Sequence, residues 1–111
     1  MSLDVFLLET GNDDPNDELY WANITHNLNN MASHANLYKA LWRPDENGIE
    51  KAKDLIPILI EGIKNMIDNR DELQEYNPDN GWGNYENLLE FSIEYLYACW
   101  EYPEAFVKVS R

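Results

Sequence analysis

Cysteine, basic residues and long apolar runs are what this chain has least of. Cys99 is its single cysteine, which excludes an internal disulfide and leaves a structural zinc site without its usual sulfur ligands. The expected compartment is therefore reducing, and no metal or other cofactor is expected. Eight Lys and Arg against 21 Asp and Glu give a formal charge of -13. Such an excess repels phosphate backbones and anionic lipid surfaces instead of releasing counterions from them, so neither direct nucleic-acid binding nor a membrane partner is expected. No apolar run approaches the roughly 20 residues of a membrane-spanning helix. The opening Met1-Ser2-Leu3-Asp4-Val5 carries an acid where a signal peptide would carry bases, and a cytoplasmic protein is expected, in the host cytoplasm if a phage encodes it. Catalytic signatures are missing too: no phosphate-cradling glycine loop, no dinucleotide fingerprint, no His-Glu-x-x-His and no nucleophile elbow.

What is present suffices for one domain spanning residues 1–111. With 111 residues, 44% of them hydrophobic and 13% aromatic, the folded chain should expose about 6,300 Å² and bury about two-thirds of its unfolded surface. Residues 3–8 are a short, partly β-branched apolar run ended by turn formers, which predicts a strand and then an acidic loop. Ile24, Leu28, Met31, Ala32 and Ala35 share one side of a helix expected over residues 20–34. A short helix over 37–42 should end at Arg43, because Pro44 disfavours helical geometry in the residue before it.

Ile49, Ala52, Ile56, Leu59, Ile63 and Met66 recur every three or four positions and predict a central helix over 48–68. Within it Pro57 either kinks the helix, or Asp54 is the N-cap of a helix with Pro57 in its first turn. One or two further turns follow over 70–76, then a glycine-rich loop, then a helix over 84–101 burying Leu88, Phe91, Tyr95, Leu96 and Cys99. Residues 105–110 alternate with period two and predict a final strand. The expected fold is α+β: a mainly helical single domain in which the two terminal strands, lacking other partners, pair as an antiparallel ribbon under three main helices. The open edges of such a ribbon invite a homodimer.

Asn23, His26, Asn27, Asn30 and His34 fall within one arc of the helix expected over 20–34, opposite its apolar side. A solvated face would read the same way, but amides and imidazoles suit a wall that orients a ligand through hydrogen bonds. His26 and His34 lie about 12 Å apart along such a helix, too far to share one ion. Trp42 beside Arg43, and Trp82 between Gly81 and Gly83 ahead of Tyr85, add flat stacking surfaces and a cation. Trp82 reads equally as a plug beneath a tight loop, and Cys99 reads as a packed thiol. The N–H groups after Gly83 could receive an anion at the start of the last helix. The expected ligand-binding residues are thus Asn23, His26, Asn27, Asn30, Arg43, Trp82 and Tyr85, with Arg111 notable among so few cations.

Taken together, Leu3-Asp4-Val5, Asn23-Ile24-Thr25-His26-Asn27-Leu28, Leu41-Trp42-Arg43-Pro44, Asn80-Gly81-Trp82-Gly83 before Tyr85, and Val109-Ser110-Arg111 resemble a small uncharacterised family of bacteriophage and bacterial proteins. Members carry a longer insertion, sometimes with cysteine pairs, where this chain has only residues 11–18. The resemblance implies no catalytic residue. A phage origin would imply a small acidic inhibitor of a host system, acting by nucleic-acid mimicry or by sequestering a signalling nucleotide.

Three function classes follow. The first is a non-enzymatic protein binding a small, flat, partly anionic ligand such as a nucleotide derivative, which in a phage would counter host defence by sequestration. The second is an acidic interaction protein that inhibits a host nucleic-acid-binding factor by charge mimicry, which would require Asp13, Asp14, Asp17, Glu18 and the helix acids to share one face. The third is a small hydrolase or lyase using His26, oriented by Asn23 and Asn30.

Overall fold

Residues Ser2–Leu8 form strand β1, whose alternation of Leu3, Val5 and Leu7 with Ser2, Asp4 and Phe6 places one fully buried apolar row on the inner face. The computed structural model describes every residue except Met1, Asp13, Asn80 and Trp82, and only the backbone of Pro15. Strand β3, Phe106–Ser110, pairs antiparallel with β1 through Asp4↔Ser110 and Phe6↔Lys108, as expected. A third strand, β2 (Glu18–Thr25), pairs antiparallel with the other side of β1 through Leu3↔Ile24 and Leu7↔Tyr20, so the sheet order is β2-β1-β3. The terminal strands are therefore part of a three-stranded sheet with β1 at its centre, not a two-stranded ribbon.

Strand β2 overturns the helix expected over 20–34. Tyr20, Ala22 and Ile24 face inward as partners of Leu7, Val5 and Leu3, while Trp21 and Asn23 face outward. Only after a 3-10 turn, His26–Leu28, does a six-residue helix α1 (Asn29–His34) begin. Ile24, Leu28, Met31, Ala32 and Ala35 are all buried as expected, but from three successive elements instead of one stripe. Helix α2 is Tyr38–Trp42, and a 3-10 turn, Pro44–Asn47, follows Arg43.

Helix α3, Ala52–Asp68, buries Leu55, Leu59, Gly62 and Met66. Neither expectation for Asp54 as N-cap nor for Pro57 in the first turn holds. The helix starts earlier, and the Asp54 carboxylate, in its third position, accepts the N–H groups of Lys51 and Glu50 at 3.1 and 3.3 Å. Those two bonds hold the Asp54 carboxyl below its ordinary range. Pro57 lies inside the helix on its exposed side, where the carbonyl it leaves unpaired four residues earlier can take water. Helix α4, Arg70–Leu73, and the turn Gln74–Tyr76 match the expected short piece.

Helix α5, Tyr85–Glu101, packs along α3 and buries all five expected residues. One core cluster joins the inner sheet face to α3 and α5. A radius of gyration of 13.4 Å and an accessible surface of 6335 Å² are those of one compact domain of this length.

Tyr20 of β2 stacks on Tyr95 of α5 with ring centroids 5.8 Å apart, and among the described residues neither hydroxyl has a hydrogen-bond partner. Tyr95 is fully buried, and an unmatched buried hydroxyl carries an uncompensated desolvation penalty of about 1–3 kcal/mol. Tyr95→Phe keeps the ring and removes that penalty. Its urea midpoint should rise, by the equivalent of about 1 kcal/mol; a fall would reveal a partner for the hydroxyl.

Beside this pair, burial pushes the Cys99 thiol up to about 12, and burial followed by the nearby Glu94 and Cys99 charges pushes Tyr20 to about 12. Both groups are held protonated in the fold and release protons more readily when unfolded. Stability is thus fully present below the ordinary thiol value and falls as pH rises toward 12. Denaturation midpoints should decline over that alkaline range, with a shallower decline in Cys99→Ala. At pH 8 a thiol reagent should modify Cys99 only as fast as the chain opens.

Candidate functional site

His26 and Arg43, expected in one site, do reach one corner of the molecule, and Trp42 is what joins them. The Trp42 indole Nε1–H donates to His26 Nδ1 at 2.9 Å, so the neutral His26 ring carries its proton on Nε2. Trp42 is 3% exposed and stacks on Tyr38 with centroids 5.7 Å apart. The Tyr38 hydroxyl in turn accepts a long bond from Arg43 Nε at 3.4 Å. Trp42, expected as a stacking surface, orients His26 through its indole N–H, the role expected of Asn23 and Asn30.

Both arginines of this corner already have partners. Arg43 pairs with Glu46 at 3.1 Å. Arg111 donates to the Trp42 carbonyl at 2.9 Å and to both carboxylate oxygens of Asp45 at 2.8 and 3.4 Å. The Arg111 hydrogen bond holds the Asp45 carboxyl below its usual range. An anion entering here must displace carboxylates that neutralise each guanidinium.

The remaining expected residues disperse. Asn23, on β2, donates to Ser2 Oγ and Asp4 Oδ1, each at 2.8 Å, across the outer face of the sheet. Asn27 and Asn30 are exposed; the Asn27 N–H is bound by Thr25 Oγ1 at 3.3 Å, and the Asn30 carbonyl meets His34 Nδ1 at 2.9 Å. The expected single polar line is broken because its residues belong to a strand, a 3-10 turn and a helix. Tyr85 is 1% exposed and donates its hydroxyl to the Met66 carbonyl at 2.6 Å, tying α5 to the end of α3. Trp82 lies outside the described residues, as does Asp13 of the acidic loop.

Three of the anion-receiving N–H groups expected after Gly83 are occupied. Asn84 N–H donates to Asn87 Oδ1, Asn87 N–H to Asn84 Oδ1, and Tyr85 N–H to Asn77 Oδ1, at 2.9, 3.0 and 2.8 Å. The start of α5 is capped by its own amides. Gly83 does allow a close backbone approach, but to the fold: with φ of +92°, a Cβ there would sit 2.7 Å from Thr25 Cγ2 and 3.1 Å from Leu28 Cδ1.

A groove that sequence reading did not foresee opens beside Gly83. It holds about 570 Å³ and runs between Trp21, Asn23, Ile24 and Thr25 of β2 and Asn87, Glu90, Phe91 and Glu94 of α5. The spacing of those four α5 residues places them on one stripe. Phe91 and Ile24 are buried at its floor, while Glu90, Glu94, Asn23 and Asn87 are exposed along its walls. The only available sequence signal was that stripe of polar residues around Phe91; its meaning depends on β2, which the helical reading removed. A second groove, of about 470 Å³, lies along β3 between Phe106, Ile49 and Asp45.

Among the described residues no three or more His, Cys, Asp or Glu converge to hold a metal ion, and no helix is long and apolar enough to cross a membrane. Exposed acids are carried by β2, the Pro44–Asn47 turn, α3, α4 and α5 alike. Comparison with family models, with curated proteins and with solved structures finds no match to this chain.

Proposed function

We propose that this is a non-enzymatic binding protein whose ligand site is the groove between β2 and α5. The observation that carries this reading is the meeting of two carboxylates, Glu90 and Glu94, and the Asn87 amide with the apolar Ile24 and Phe91 along one groove. A volume of about 570 Å³ is in the range of small-ligand sites, and apolar floors with a few polar groups are their usual make-up. The charge favours a cationic ligand that donates hydrogen bonds, not the anionic one expected from sequence. Catalysis by His26 is disfavoured chemically. Its Nδ1 lone pair accepts from Trp42, leaving the neutral ring a donor at Nε2 where a general base needs an acceptor.

A second reading keeps a nucleotide derivative as ligand and places it at the other corner. What favours it is that Arg43 and Arg111 both approach Glu46, at 3.1 and 3.8 Å, beside the partly buried Tyr38. Host-defence sequestration would belong to that reading. Titrating ¹⁵N-labelled protein with agmatine and separately with adenosine monophosphate separates the two. Agmatine should shift the amides of residues 21–25 and 87–94 and leave Arg43 and Arg111 unmoved. Adenosine monophosphate moving Tyr38, Arg43 and Arg111, with agmatine moving nothing in the groove, would reverse the assignment.

A further inference from the structure

Val107 N–H donates to the Glu50 carbonyl and Ala52 N–H to the Ala105 carbonyl, so the odd-numbered residues of β3 turn their backbone groups away from β1. Their partners Leu7 and Val5 then bond toward β2, where they meet Tyr20 and Ala22. Alternation leaves the N–H and C=O of Trp21 and Asn23 pointing off the free side of β2. Among the described residues no backbone group bonds to them there. The corresponding side of β3 is covered by Glu50 and Lys51. One edge of the sheet is closed and, among the described residues, the other is open, and the open edge borders the groove.

We propose that this open edge takes a fourth strand: an extended segment of a partner protein with Lys or Arg at every second position, lying in the groove between β2 and α5. The proposal rests on the groove being the binding site and specifies its occupant. A strand added to β2 runs over the α5 stripe. Glu90 and Glu94 are one turn apart, about 6 Å along the helix axis, and alternate residues of a strand are about 6.8 Å apart. Successive helix-facing side chains of the added strand therefore meet successive carboxylates. Its other side chains face outward beside Trp21, which is 53% exposed and offers an apolar surface on that face. Main-chain bonds supply affinity and the alternating side chains supply selectivity, as in other strand-addition complexes.

Charge decides against a second copy of this chain as the occupant. Pairing β2 with its own copy brings two molecules of charge -13 together along edges bordered by Glu18, Glu90 and Glu94, whereas a basic segment is attracted by the same groups.

The test uses ¹⁵N-labelled full chain and an acetylated, amidated octapeptide of alternating lysine and valine. At peptide about tenfold above its Kd, amide hydrogen exchange at Trp21 and Asn23 should slow by about tenfold. Methylating every backbone nitrogen of the peptide keeps its charges but should abolish binding. The exposed-surface double variant Glu90→Gln/Glu94→Gln should bind about tenfold more weakly and lose most of the salt dependence.

Three results would overturn the proposal, and they differ in what else falls. If agmatine shifts the groove amides but the peptide leaves Trp21 and Asn23 unprotected, or its methylated form binds equally, strand addition fails and the groove reading stands. If neither probe moves the groove, both fail. If the same amides are protected without peptide, in step with a doubled mass by sedimentation, the occupant is a second copy.

Discussion

Trp42→Ala is expected to lose about 3–5 kcal/mol of folding stability, a large share of the 5–15 kcal/mol typical of a single domain. The indole is 3% exposed, stacked on Tyr38 and bonded to His26 Nδ1, so truncation opens a cavity and strips partners from both neighbours. Trp42→Phe separates these effects. It retains much of the apolar volume but leaves His26 Nδ1 without its donor, for an expected loss of about 1–3 kcal/mol. The imidazole nitrogen shifts give a second readout: in the wild type Nδ1 is the acceptor nitrogen, and in Trp42→Phe the two neutral tautomers should mix. Unchanged tautomer shifts would mean that another group fixes the ring.

The second large effect runs against helix propensity. Gly62 sits within α3, where exchange for alanine ordinarily stabilises by up to about 1 kcal/mol. Here a Cβ would lie 2.1 Å from Leu37 Cδ2 and 2.5 Å from Leu37 Cγ, and Leu37 is fully buried. Moving the branch point of a packed leucine shifts the segment between α1 and α2, so overpacking, at about 1–3 kcal/mol, outweighs the propensity gain. Gly62→Ala should lower the urea midpoint. Adding Leu37→Ala should harm the variant less than it harms the wild type, and the pair should be coupled by about 1 kcal/mol or more. Additive effects would show that Leu37 swings clear without strain.

These two sites also show what could be read from the chain and what could not. The long helices were legible because α3 and α5 bury one stripe each; Leu59, Met66, Leu88 and Tyr95 recur at helical spacing whatever they pack against. Strand β2 was not, because its outward face carries Trp21 beside the inward Tyr20 and Ala22, which blurs the period of two. The interval from Ile24 to Leu28 then mimics a helical turn across an element boundary. Burial at those positions was right while the element was wrong, and the candidate site inherited the error. Placing Asn23 with His26 and Asn30 required one helix; on a strand, Asn23 belongs to the groove. The partnership of Trp42 with His26 spans 16 positions and has no local sequence signal.

Because β3 returns beside β1, the fold is nearly a closed ring cut between adjacent ends. Asp4 and Ser110 are paired neighbours, yet every contact between these strands must close a loop spanning almost the whole chain. Such non-local pairing slows folding without weakening the folded state. Joining Arg111 to Ser2 with a short glycine-serine linker, and opening the chain in the loop after Leu8, would make β3 and β1 a local hairpin. Because β1 then lies at the far end of the chain from β2, its longer pairing partner, the non-local cost passes to that pair, and the permuted chain should keep its midpoint and fold no faster than the native order.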